Sequence, residues 1–172
     1  MDMGKVTKSM ITSFSKFKSE WEKDAGKPEN TIMYYLIAAL NIEKDPKLAD
    51  AMMTLIVSKK DCVEAGTSPS GFKLGRSAAY YIGQFQGNKN IARSYVGGTN
   101  TNNYKITSKE LTMTVVKKQD QARGVKIFIQ SGGKDMPTPV YLAKNSRGQW
   151  KLTNYSSICT GVKKTVEEDG DF

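Results

Sequence analysis

The first half of the chain carries apolar residues at the steps of helices. Val6, Met10, Ile11, Phe14, Phe17 and Trp21 recur at three-, four- and five-residue spacing with Lys, Ser, Thr and Glu between them, which predicts one amphipathic helix that stops near Gly26 and Pro28. Asn30 fits the N-cap of a second helix over Ile32–Ile42, where Tyr34 to Leu40 leave almost no polar face, so this helix is expected at the centre of the core. Asp45-Pro46 reads as an N-cap followed by proline at the first helical position of a third helix, marked by Leu48, Ala51, Met52, Leu55 and Ile56 and ending near Lys59. The stretch from Asp61 to Gly71 has loop composition, and Leu74, Ala78, Tyr81, Ile82 and Phe85 then mark a fourth helix. Gly87 to Ser108, with Gly97-Gly98 and Asn100-Thr101-Asn102-Asn103, predicts a long loop around a short turn at Ile91 to Tyr95, and loops of that length often carry function.

From Leu111 the period changes to two. Leu111, Met113 and Val115 alternate with threonines, Val125, Ile127 and Ile129 alternate with Lys126, Phe128 and Gln130, and Val140 and Leu142 continue the pattern. Asn145-Ser146-Arg147-Gly148 supplies a turn before Trp150 and Leu152. The expected class is α+β: about four N-terminal helices packed on a C-terminal antiparallel sheet of about four strands. A cone-like fold of the nuclear-transport-factor type, which also ends in a hairpin, is one candidate. Residues 1–164 are expected to form a single domain, and the acidic residues 165–172 a disordered tail.

Charge changes this picture more than composition does. The formal net charge is +9, and the last eight residues hold four acids and no base, so residues 1–164 carry +13. Such a field attracts polyanions through long-range steering, or serves only solubility. No apolar run is long enough to span a bilayer, and the lysines at 5, 8, 16 and 18 interrupt any secretory signal. The expected compartment is the cytoplasm, or the far side of a membrane if a signal was trimmed. Cys62 and Cys159 lie far apart without metal or redox spacing and read as buried thiols. The chain has no histidine, which removes His-based triads and zinc sites built on histidine. No catalytic constellation, metal site or cofactor motif is left, and the balance leans away from an enzyme.

Three stretches resemble a known pattern when taken in order. They are Ala92-Arg93-Ser94-Tyr95 with Gly98 and Asn102-Asn103-Tyr104; Ser131-Gly132-Gly133-Lys134-Asp135 with Pro137 and Pro139; and Gly148-Gln149-Trp150-Lys151-Leu152. Together they resemble a family of uncharacterised bacterial domains of unknown function, over about Tyr34 to Lys164. The resemblance implies no activity. The family pattern has arginine between the two prolines, where this chain has Thr138.

Two sets of residues are candidates for binding. Arg93, Ser94, Tyr95, Asn103 and Tyr104 put a guanidinium, two phenols and an amide in one irregular region, a mixture that suits a planar or anionic ligand or, equally, pins a loop to the body. Ser131, Gly132, Gly133 and Lys134 could form an anion nest of backbone N–H groups, with Lys126 and Lys151 on the outer side of the sheet. Phe128 and Tyr141 fall on outer positions too, as stacking on single-stranded nucleic acid requires. The leading expectation is a non-enzymatic binding module with a protein or other partner. The alternatives are a binder of nucleic acid or another polyanion, and a pocket protein or enzyme with a carboxylate facing Tyr34, Tyr35, Tyr80 or Tyr81.

Overall fold

A computed structural model describes residues 4–170. The described chain begins with a strand, β1 (Gly4–Lys8), followed by helices α1 (Phe14–Asp24), α2 (Pro28–Asn41) and α3 (Pro46–Ile56). A small hairpin, β2 (Cys62–Glu64) and β3 (Phe72–Leu74), leads into α4 (Arg76–Gly87) and a single helical turn, α5 (Asn90–Arg93). A meander then runs through β4 (Leu111–Gln121), β5 (Gly124–Gln130), β6 (Thr138–Lys144) and β7 (Trp150–Asn154), and the described chain ends in the short α6 (Val166–Gly170). The architecture is α+β, with the helices preceding the large sheet in sequence except for β1 and α6.

The large sheet is antiparallel throughout and has the order β1-β4-β5-β6-β7. Its inner face buries Leu111, Met113, Val115, Val125, Ile127, Ile129, Val140, Leu142 and Leu152 against the helices. α2 is the central element: every residue from Thr31 to Asn41 is buried, as its lack of a polar face implies. Each fully buried Leu or Ile side chain there stabilises the fold by about 1.5–3 kcal/mol. Among the described residues the buried side-chain polar atoms are partnered except the Tyr35 hydroxyl. Trp21 Nε1 donates to Thr31 Oγ1 (3.1 Å), whose hydroxyl donates to the Trp150 carbonyl (2.8 Å), so one chain of bonds ties α1, α2 and β7. Asn41 Nδ2 donates to the carbonyls of Ile11 and Ile37, both at 2.9 Å.

Three expectations need correction. Val6 belongs not to the first helix but to β1, where it pairs with Met113; α1 starts only at Phe14, because Ser13 adopts an extended backbone and its hydroxyl accepts from Lys16 N. The second helix starts at Pro28 rather than after Asn30, with proline taking a first-turn position whose N–H has no intrahelical partner. The acidic stretch, expected to be disordered, carries the helical turn of α6: Thr165 is buried, its Oγ1 accepts from Glu168 N, and Val166 N donates to the Asn100 carbonyl (2.9 Å). Asp171 and Phe172 lie outside the described residues. By contrast, Asp45 caps α3 as read, accepting from Leu48 N at 3.1 Å.

Candidate functional site

The long loop after α5 spends its polar groups on itself. Arg93 makes a two-point contact with Glu43, Nε to Oε2 at 3.0 Å and Nη2 to Oε1 at 2.8 Å. Ser94 is buried; its hydroxyl donates to the Ile91 carbonyl and accepts from Ser131 Oγ at 2.6 Å. Tyr95 is buried with its hydroxyl 2.8 Å from Thr138 Oγ1 and accepting from Lys134 Nζ at 2.7 Å. Asn103 and Tyr104 both have positive φ, 59° and 54°, which tightens the loop; Asn103 is exposed, whereas Tyr104 is fully buried and donates to the Lys163 carbonyl. Of the five, only Asn103 is exposed.

The glycine turn is likewise occupied from within. Gly132 N donates to the Ser94 carbonyl (2.6 Å) and Gly133 N to Ser131 Oγ (3.0 Å), so these two N–H groups do not point at an external anion. The glycines are needed for contact: a Cβ on Gly132 would run into the Gly98 carbonyl oxygen, and one on Gly133 into the Tyr104 hydroxyl. Lys134 Nζ reaches Tyr95 Oη, the Ser157 carbonyl (3.1 Å) and Thr160 Oγ1 (2.6 Å), and burial lowers its pKa to about 8. Lys126 and Lys151 have different neighbours altogether. Lys151 stands at the β7 edge with its ammonium over the Trp21 ring at 5.7 Å.

Lys126 lies on the outer face of the sheet, away from the helices, and is the centre of an alternating row. Register places it beside Gln119 on β4 and Tyr141 on β6, with Phe128 two residues along its own strand. Its ammonium sits 4.9 Å from the Phe128 ring centroid and 5.2 Å from that of Tyr141, and the Lys117 ammonium lies 5.8 Å from the Phe128 centroid. Lys117 escapes a strict period-two reading. The register shifts between Val115 and Lys117, and this bulge turns Lys117 outward opposite Phe128 in place of Val116. The remaining outward positions paired on β1, β4 and β5 are Lys5, Thr7, Thr112, Thr114, Gln121, Gly124 and Gln130, so these strands present no carboxylate on this face.

A carboxylate does face one of the tyrosines. Asp24 accepts from Tyr34 Oη at 2.6 Å and pairs with Lys8 Nζ at 2.6 Å, at the wall of an open cleft of about 840 Å³. Burial pushes Asp24 up, but the bonds from Lys8 and Tyr34 outweigh it and hold the group below the ordinary carboxylate range, which makes it a weak base at neutral pH. Burial pushes the Cys62 thiol up to about 11 and raises Cys159 as well, the opposite of what a nucleophile needs. Both cysteines are free. Among the described residues, no group of three or more Cys, Asp or Glu side chains gathers to hold a metal ion.

A family model described as Domain of unknown function (DUF6935) matches residues 10–166. The chain belongs to that family. The match takes in α1 to β7, and with them the pinned loop and the Lys117–Phe128–Lys126–Tyr141 row, while Lys5 on β1 precedes it. Membership of DUF6935 agrees with the resemblance drawn from the Arg93 to Leu152 motifs and, like it, brings no activity. No curated protein and no solved structure matches the chain. What a DUF6935 domain of this sequence does has to be argued from its own surfaces.

Proposed function

We propose that the domain is a non-enzymatic binding module that takes single-stranded nucleic acid on the outer face of its large sheet. The observation that carries this is the row in which Lys117 and Lys126 alternate with Phe128 and Tyr141 on a face whose strands present no carboxylate. Lysines supply attraction for phosphates at the spacing of neighbouring strands, and the two half-buried rings supply π-faces on which bases stack. An open sheet suits a flexible strand better than a duplex, since a flat surface cannot enter a groove of B-form DNA. The field of the +13 body would speed encounter with any such ligand.

Fluorescence anisotropy with a labelled single-stranded oligonucleotide tests the proposal. Binding is expected at low salt, with log K falling linearly in log salt at about 0.7 per phosphate neutralised. Lys117→Ala and Lys126→Ala should each flatten that slope, whereas Phe128→Ala and Tyr141→Ala should weaken binding by about 1–3 kcal/mol at unchanged slope. Absence of binding at low salt, or variants that bind like the wild type, would overturn it.

A further inference from the structure

At the free end of the β6–β7 hairpin a second group of cations converges on one concave site. Lys59 reaches it from the 3₁₀ turn after α3, Lys144 from the end of β6, Arg147 from the hairpin turn and Lys151 from β7. They line a cleft of about 590 Å³ together with Ser58 and Ser146, and no carboxylate lines it. Lys8, Arg93, Lys118 and Lys163 each have an acidic partner; among the described residues none of the four cleft cations has one within bridging distance. Four unneutralised positive charges in a concave wall focus the field there and call for a counter-ion of high charge density.

The walls are fixed in advance of any ligand. Asn145 Oδ1 accepts from the backbone N–H groups of Arg147 and Gln149, both at 3.0 Å, Asn145 N donates to the Gln149 carbonyl at 2.9 Å, and Gly148 supplies the positive φ of 76° that closes the turn. On the opposite side Val57 forms a parallel bridge with Leu152, and Ser58 N donates to the Leu152 carbonyl at 2.8 Å, which holds the Lys59 segment against β7. The lysines are guided by rings rather than acids: Lys144 lies over Trp150 at 5.3 Å and Lys151 over Trp21 at 5.7 Å. A ring positions an ammonium without cancelling its charge, so the N–H donors remain available. Burial and then the neighbouring Lys59 and Arg147 cations lower the pKa of Lys151 against the opposing influence of the Cys62 sulfur, a strain that an anion in the cleft would relieve.

We propose that this cleft is a binding site for a phosphate or diphosphate group, with Arg147 making the two-point contact, Lys59, Lys144 and Lys151 supplying charge, and the hydroxyls of Ser58 and Ser146 completing the shell. It uses none of the residues of the Lys117–Tyr141 row and does not depend on the sheet-face proposal. The phosphoryl group has two sources, a free diphosphate or the phosphorylated end of a longer strand, and the experiment separates them.

Inorganic pyrophosphate titrated into the full chain at low ionic strength, followed by calorimetry and backbone amide NMR, is expected to bind at one saturable site and to shift the amides of 145–148 and Lys151. Arg147→Ala, in an exposed turn, and Lys59→Met should each weaken it by about tenfold or more, with Lys151→Met doing the same. Lys126→Ala should leave it unchanged. A 5′-phosphorylated oligonucleotide that outcompetes its unphosphorylated twin, and loses that advantage in Arg147→Ala, would assign the site to a strand end; equal oligonucleotides with retained pyrophosphate binding would assign it to the free diphosphate. Scattered shifts over all lysines without saturation, or Arg147→Ala and Lys59→Met binding like the wild type, would overturn the site. Oligonucleotide binding that survives this result would leave the sheet face standing, and the reverse outcome would leave the cleft.

Discussion

Lys134 is a cation held inside by neutral oxygens. Tyr95 Oη, the Ser157 carbonyl and Thr160 Oγ1 take its three hydrogens, and burial brings its pKa from 10.5 to about 8. Because the folded pKa is the lower one, the unfolded chain binds more protons between about pH 8 and 10.5, and stability from this residue rises with pH across that window. Below it both states hold the proton and the cost is constant. In urea melts from pH 8 to about 9.5, before tyrosines ionise, the wild type should gain stability relative to Lys134→Met; a difference that stays flat would show that Lys134 titrates normally. Tyr35 poses a simpler case. It is buried between the rings of Phe85 and Tyr155, and its hydroxyl has no partner among the described residues. An unpaired buried hydroxyl costs about 1–3 kcal/mol, so Tyr35→Phe should leave the melting temperature unchanged or raise it. A clear drop would mean that the hydroxyl is bonded after all.

At the scale of elements, the contact that decides how the long loop sits is the backbone crossing at Gly132. Gly132 N bonds to Ser94, Gly132 forms a parallel bridge with Thr99, and a methyl there would collide with the Gly98 carbonyl. Gly132→Ala should therefore cost about 1–3 kcal/mol in thermal or chemical denaturation, because backbone cannot move aside as a side-chain tip can. Much of this layer was legible in the sequence. α2 announced itself by having no polar face, α3 by Asp45-Pro46, and β4 to β7 by alternation that the Lys117 bulge interrupts. β1 was not legible, because Val6 happens to fall at a helical distance from Met10 and its partner Met113 lies far along the chain. The hairpin of β2 and β3 is too short, at three residues a strand, to show a period. Of the residues proposed to bind, Lys126, Phe128 and Tyr141 follow from alternation, while Lys117 is hidden by a bulge, and Lys59 joins Lys151 only through the Val57–Leu152 bridge. The Arg93 to Tyr104 and Ser131 to Lys134 stretches drew attention by composition, and composition alone does not say whether a polar loop bonds outward or inward.

At the scale of the whole molecule, three carboxylates, Glu167, Glu168 and Asp169, share the short α6. The Asn100 loop meets this acidic turn, through Val166 N on the Asn100 carbonyl. Unpaired cations lie on the outer sheet face and at the β6–β7 end. Under the binding proposals, cations without acidic partners on these two surfaces would favour the approach of a polyanion to them.

The pairing of Gly4–Lys8 with Leu111–Val115 also sets an order of events during synthesis. At ribosomal rates, roughly a hundred residues of separation amount to a delay of about 5–20 seconds between the appearance of β1 and of its mate. The helices emerge in that interval and can settle while the rest of the large sheet, from β4 onward, is still missing. β1 is thus kept waiting for its mate, and the nascent chain carries a lysine-bearing ribbon whose polar character suits that exposed interlude.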